Sequence, residues 1–394
     1  MGCCFDATAP FYTMNNVHFK NGKMTVMQVS DPQDLSFINR TMQVMLDKVY
    51  NQVKPDLVVF TGDNILGNHL RDARFGSRQT VKTDAGEKKR MEKAIDNIVR
   101  PLQKRGIPFV FIYGNHDDRN CITKEEQAEI YNKYPLCRMR NTVQSGVDVD
   151  TCYLPLFSSD NKKEIFRLWL MDTAWYDKEE DKCHEAIKPE AVEWFQRECT
   201  KNTDGIPGLL FIHIPLPETN ELFELCPAGV GGVLDYKHFR QTGERRYFRL
   251  NPTKAQGDLF EIPYADEENS GLFAAVKAHK SILGIVSGHD HPNCFDGMHE
   301  GVRFLQTACA SLRCYGTTNR GVRIFELNEN NPTQFSTRHL TYSDIMGNGL
   351  WAQLRYLLDA DGLQKYKYTL LAATGTALLS ATTVIAHKLK TTLR

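Results

Sequence analysis

The chain has 394 residues, 48 basic against 48 acidic side chains, and 41% hydrophobic composition with 10% aromatics. That is enough apolar chain for one large domain or two of average size, and it excludes a disordered polymer, a collagen-like repeat and a disulfide-stapled miniprotein. Charge balance without an arginine-rich arm leaves no nucleic-acid-binding signature, since such binders carry a basic excess to replace counterions on phosphates.

The first segment, 1–21, opens Met1-Gly2-Cys3-Cys4, which resembles an acylation signal with myristate on Gly2 and palmitate on Cys3 or Cys4. Asp6 stands where that pattern wants Ser or Thr, so an unmodified, frayed terminus is the alternative. No basic and apolar leader opens the chain, and its 11 cysteines are odd in number and form no CxxC pair. Reduced thiols facing the cytosol are expected.

From there, short β-rich runs alternate with helical patterns, as in layered α/β structure. Strands are predicted over 24–30, 56–61, 107–113, 166–171, 209–214, 282–287, 302–306 and 322–327, and helices over 37–53, 87–104, 124–134, 189–199 and 271–279. The expected catalytic domain is 22–345. Within it, 217–264 is polar, glycine- and charge-rich and reads as a long loop or lid. A smaller insertion carries Arg71, Arg74 and Arg78, which could face a substrate phosphate or form a solvated basic loop.

After a connecting helix over 346–367, the uncharged run 368–387 reads as a transmembrane tail anchor, followed by a basic tail, 388–394. A helix of about 19 residues spans about 28 Å, close to a hydrocarbon core. Its threonines keep a surface-lying or buried helix as the alternative. The anchor predicts a single-pass membrane protein with a cytosolic catalytic domain, the membrane being a partner through this helix.

Metal-type side chains recur just past the strands: Asp31, then Asp63, then Asn115, His116 and Asp117, then His213, and finally His289 and His291. Each motif alone is ordinary turn punctuation next to glycine. Together they place residues distant in sequence on one edge of a layered sheet. His289 and His291, two apart, share one side of an extended segment.

In the stretches TGDNILG, YGNHDD, FIHIPLPE, NSGLF and SGHDHPN, the sequence resembles the calcineurin-like metallophosphoesterases, in particular the purple-acid-phosphatase-like single-domain branch. The resemblance covers about 24–340. It implies a four-layer α/β/β/α sandwich, followed here by a C-terminal helix. It also implies two transition-metal ions, Fe, Mn or Zn, bridged by Asp63. One ion would take Asp31 and His291, the other Asn115, His213 and His289. Water or hydroxide held by the ions would then hydrolyse a phosphomonoester or phosphodiester of unknown class. His116 would stabilise or protonate the leaving oxygen, with Asp117 orienting its imidazole.

One ligand departs from the family pattern: D-x-H is here Asp31-Pro32-Gln33, and Leu66 offers no tyrosine in compensation. Either Gln33 or a water completes a looser site, or His69, in a second Gly-Asn-His triplet, substitutes. Otherwise one metal is lost and the fold serves as a catalytically impaired scaffold. Retained hydrolysis is the favoured expectation, because so many ligand-type residues stand together. Asp172, Cys309 and Cys314 read as structural.

Overall fold

In the computed structural model of the protein, residues 16–66, 85–177, 182–263 and 269–360 are described. The chain begins with β1 (Val17–His18), β2 (Lys23–Val29), α1 (Arg40–Val53), β3 (Leu57–Thr61), α2 (Ala85–Gln103), β4 (Phe109–Ile112) and α3 (Lys124–Asn132). Then come β5 (Val143–Gln144), β6 (Cys152–Phe157), β7 (Glu164–Leu170), β8 (Trp175–Asp177), β9 (Lys182–His184), α4 (Pro189–Lys201) and β10 (Gly208–Phe211). An inserted portion holds β11 (Phe223–Cys226), β12 (Val233–Leu234), α5 (Tyr236–Thr242) and β13 (Tyr247–Leu250), and leads to β14 (Ala255–Asp258), α6 (Leu272–His279) and β15 (Ile282–Ser287). Last are β16 (Cys294–His299), β17 (Val302–Gln306), β18 (Gly321–Asn328), β19 (Phe335–Thr341), α7 (Tyr342–Met346) and α8 (Leu350–Asp359).

Two large sheets carry the fold. One has the order β19-β18-β2-β3-β4, with β2, β3 and β4 parallel. The other runs β1-β6-β7-β10-β15-β17-β16-β14, with β5 beside β6 and with β7, β10, β15 and β17 parallel. Alternation along the strands sorts side chains between two cores. Leu168, Leu170, Leu209 and Phe211 join the core shared with the five-stranded sheet, α1 and α2. Their neighbours Trp169, Met171, Leu210 and Ile212 face α4 and α6. The Phe211 and Phe325 rings meet edge to face at 5.7 Å, across the seam between the sheets. The layers are therefore helix, sheet, sheet, helix, as the family resemblance implies.

Local chemistry explains the boundaries. Asn39 accepts hydrogen bonds from the Thr41 and Met42 amides, so α1 starts at Arg40 and not at Phe37. Met42, Met45, Leu46 and Val49 then recur on its buried face at helical spacing. The long loop expected at 217–264 is corrected. β13 lies between β11 and β12 in a small antiparallel sheet, and α5, between β12 and β13 in the chain, has no buried residue. Half-exposed strands give too weak an alternation to be read from sequence.

Of the connecting helix expected over 346–367, the described residues hold α8, which starts after Gly349, while α7 ends at Met346 and 361–367 lie outside them. α8 packs through Tyr356 against the Tyr342 ring, and Thr41 donates to the Asp359 carboxylate. The membrane localisation is corrected as well, since no helix of the described residues is long and apolar enough to cross a membrane. The 368–387 run lies outside the described residues, as do Gly2, Cys3, Cys4, His69, Arg71, Arg74 and Arg78.

Phe211 is fully buried at the sheet–sheet seam. Phe211→Ala should cost about 3–5 kcal/mol in urea unfolding, and a loss below about 1 kcal/mol would contradict the packed seam.

Candidate metal centre

Parallel strands put all their C-terminal ends on one edge, and both sheets present that edge to a common cavity. Asp31 follows β2, Asp63 follows β3, and Asn115 and His116 follow β4; His213 follows β10, and His289 and His291 follow β15. The structure brings the six expected ligands together. Asp63, His213 and His289 converge closely enough to hold one ion, and Asp31, Asp63 and His291 another. Asp63 belongs to both groups. Asn115 Oδ1 lies 3.3 Å from His213 Nε2, which places it with the first group.

The imidazoles are fixed by their far nitrogens. His213 Nδ1 lies 2.9 Å from the Thr61 carbonyl oxygen, and His291 Nδ1 lies 3.0 Å from the Tyr315 carbonyl oxygen. Each carbonyl accepts a hydrogen bond from Nδ1–H, so Nε2 is the nitrogen turned toward the carboxylates. His213 Nε2 is 3.3 Å from Asp63 Oδ1, and His291 Nε2 is 3.6 Å from Asp31 Oδ1. The Tyr315 ring also stacks on His291 at 4.4 Å.

Electrostatics shows what the cavity demands. Burial pushes the Asp31 carboxyl up to about 7, and the Asp63 charge adds to the rise although His213 opposes it. Burial works the same way on Asp63, but His213 and His116 outweigh it and hold that carboxyl below the usual carboxylate range. Burial disfavours the His213 cation, yet Asp63 and Asp31 lift it to about 10. At His289 and His291 burial wins, bringing His291 down to about 4. Two carboxylates in one dry cavity call for positive charge.

The donor set fits metal ions. Asp31 Oδ1 and Gln33 Oε1 are buried acceptors with no hydrogen-bond donor among the described residues, a costly arrangement unless a cation meets them. Gln33 Nε2 donates to Asp63 Oδ2 at 3.0 Å. At the position of the missing histidine, the amide thus steadies the shared carboxylate.

His116 lies at the rim with its side chain one-quarter exposed. Its amide donates to Asp63 Oδ1 at 2.9 Å, and its Nε2 stands 3.9 Å from Asp63 Oδ2. For Asp117, expected to orient the His116 imidazole, the structure gives contacts to backbone amides. Its buried carboxylate accepts from the Asn64 and Gly114 amides at 3.0 and 2.9 Å and from the Ile65 amide at 3.1 Å. It ties two ligand-bearing loops together, and burial helped by the Asp63 charge raises its pKa to about 7.

Strain marks the same place. Asp31, Gln33, Asp63 and His289 all have positive φ, between 31° and 73°. Sequence reasoning missed Glu185, whose Oε1 accepts from Asn115 Nδ2 at 2.6 Å, and Tyr315. Neither stands in a recognisable motif, so no pattern could have found them.

A mixed α/β sandwich with these carboxylates and imidazoles at its strand ends defines the class of dimetal phosphoesterase folds. The family model described as calcineurin-like phosphoesterase matches residues 24–293, and the chain belongs to that family. It is similar to "Probable inactive purple acid phosphatase 14" of Arabidopsis thaliana, 24% identical over 79% of this chain and 73% of that protein. It is also similar to "Phosphatase DCR2" of Saccharomyces cerevisiae, 25% identical over 76% of this chain and 47% of that protein. Among solved structures, a dimetal phosphatase from Danio rerio is 12% identical with a TM-score of 0.47, covering 80% of this chain and 98% of that one.

Gly114 has no room for a side chain: a methyl there would sit 2.5 Å from the Asp63 nitrogen and 2.6 Å from His213 Nε2. Gly114→Ala should therefore weaken Mn(II) binding at least about 10-fold in titration calorimetry. Unchanged affinity would mean that the cavity is looser than described.

Proposed function

We propose that this chain is a metal-dependent phosphoesterase that hydrolyses a phosphomonoester or phosphodiester. The observation that carries the reading is the pair of ligand groups sharing Asp63, built from strand ends of both sheets. Two ions, Fe, Mn or Zn, bound by these side chains would supply Lewis acidity to phosphoryl oxygens and lower the pKa of water.

The residues of the chain divide the remaining work. Asp31 and His291 would hold one ion, Asn115, His213 and His289 the other, and Asp63 would be common to both. His116, held by its amide on Asp63 and open to solvent on one side, is placed to give a proton to the departing oxygen. Asp117 supports this by fixing the loop from which His116 projects.

A second reading rests on Gln33. Its NH₂ group faces Asp63 and one imidazole is missing, so a weakly held ion would leave an impaired binding protein that keeps the fold. The Arabidopsis relative bears the word inactive in its name, and the yeast relative is named a phosphatase.

Turnover of 4-nitrophenyl phosphate by the full chain under Mn, Fe(II) and Zn decides between them. Metal-dependent activity that Asp63→Asn removes is expected, with Gln33→His tightening metal affinity about 10-fold. Absence of such activity in the unaltered protein would favour the binding protein. His116→Ala should lower kcat about 100-fold or more on an alkyl phosphate. The loss should be smaller on 4-nitrophenyl phosphate, whose leaving group needs no proton; equal losses would remove His116 from proton donation.

A further inference from the structure

We propose that Glu185 is a positioning residue of the metal centre, holding the Asn115 amide in the one orientation that turns its oxygen into the cavity. The proposal rests on the dinuclear-metal reading above.

An asparagine side chain is nearly symmetric in shape, and only its hydrogen-bond partners decide which end faces a ligand. Asn115 is the one amide among the six expected ligands, so no charge orients it. An ionised carboxylate can only accept, and Glu185 Oε1 lies 2.6 Å from Asn115 Nδ2. The NH₂ end is thereby committed to Glu185. Oδ1 is left on the cavity side, 3.3 Å from His213 Nε2. Flipped, the amide would aim two N–H groups at a cation.

Glu185 is itself well placed to hold another group. It directly follows β9, which pairs antiparallel with β8, and the rings of Trp175 and His184 stack across this hairpin at 4.1 Å and 9°. Ile187, two residues later, is buried in the core under α4 and α6. Glu185 belongs to neither ligand group, so it acts through Asn115. Its charge also polarises the amide and makes Oδ1 a better donor to a metal.

The discriminating experiment is a double-mutant cycle on the full chain, read as Mn(II) stoichiometry and affinity by titration calorimetry, with thermal unfolding alongside. Glu185→Ala should weaken one of the two Mn(II) sites about 10- to 100-fold and leave the other unchanged. Glu185→Gln, which keeps an acceptor oxygen, should restore most of the loss. In an Asn115→Asp background, the two carboxylate oxygens are equivalent and Glu185 becomes a like-charged neighbour. There Glu185→Ala should cost nothing or tighten binding. The proposal is overturned if Glu185→Ala leaves both sites unchanged, weakens both together with a lower Tm, or costs as much in the Asn115→Asp background. Failure of the unaltered protein to bind two equivalents would instead refute the dinuclear reading itself.

Discussion

Asp31 and Asp63 are both buried, and they share one cavity between two sheets. Removing two carboxylates from water at close range is costly unless positive charge meets them. Much of the surrounding structure answers that demand. Histidines arrive from the opposite sheet, backbone amides donate to the carboxylates, and Ser30 donates to Asp31. The cavity is a place where an α/β fold has been arranged to need cations.

Meeting the demand requires the two sheets to hold register, and a polar network beneath the cavity does this. Gln28, on β2, donates to the Thr61 hydroxyl and to the Ser287 carbonyl of the facing sheet, and accepts from Thr307. Arg323, from β18, reaches the same Thr307 hydroxyl. The amides of Ala310 and Ser311 bond to the carbonyls of Ser30 and Asp31. A buried network so fully paired adds rigidity and direction, where apolar packing alone would allow the sheets to slide. Ligands on different strands thereby keep fixed separations, which is what a shared carboxylate requires.

Sequence made the strand ends legible because β-rich runs closed by Gly-Asp, Gly-Asn-His and Gly-His are local signals. Chain order alone then placed Asp31, Asp63, Asn115, His213, His289 and His291 on one edge. Other features stayed hidden for physical reasons. Glu185 earns its place through a hairpin that folds back on Asn115, seventy residues away. Asp117 is adjacent to His116, which invited an imidazole partner, yet its carboxylate turns to backbone amides. The positive φ of Asp31, Asp63 and His289 lies in a region that Asp and His enter more readily than most residues but only as single positions, so nothing in the local sequence marks where it occurs. The sheet of the inserted portion escaped because its strands are half exposed.

Gln33 is where the family pattern and this chain part. An amide in place of an imidazole keeps the cavity filled and braces Asp63, while reducing the softness of one ligand set. The central claim is that Asp63 serves two ions at once. Electron paramagnetic resonance of the full chain loaded with two equivalents of Mn(II) tests it most directly. A carboxylate-bridged pair gives an exchange-coupled spectrum, which Asp63→Asn should convert to that of isolated ions. Uncoupled Mn(II) in the unaltered protein would contradict the account.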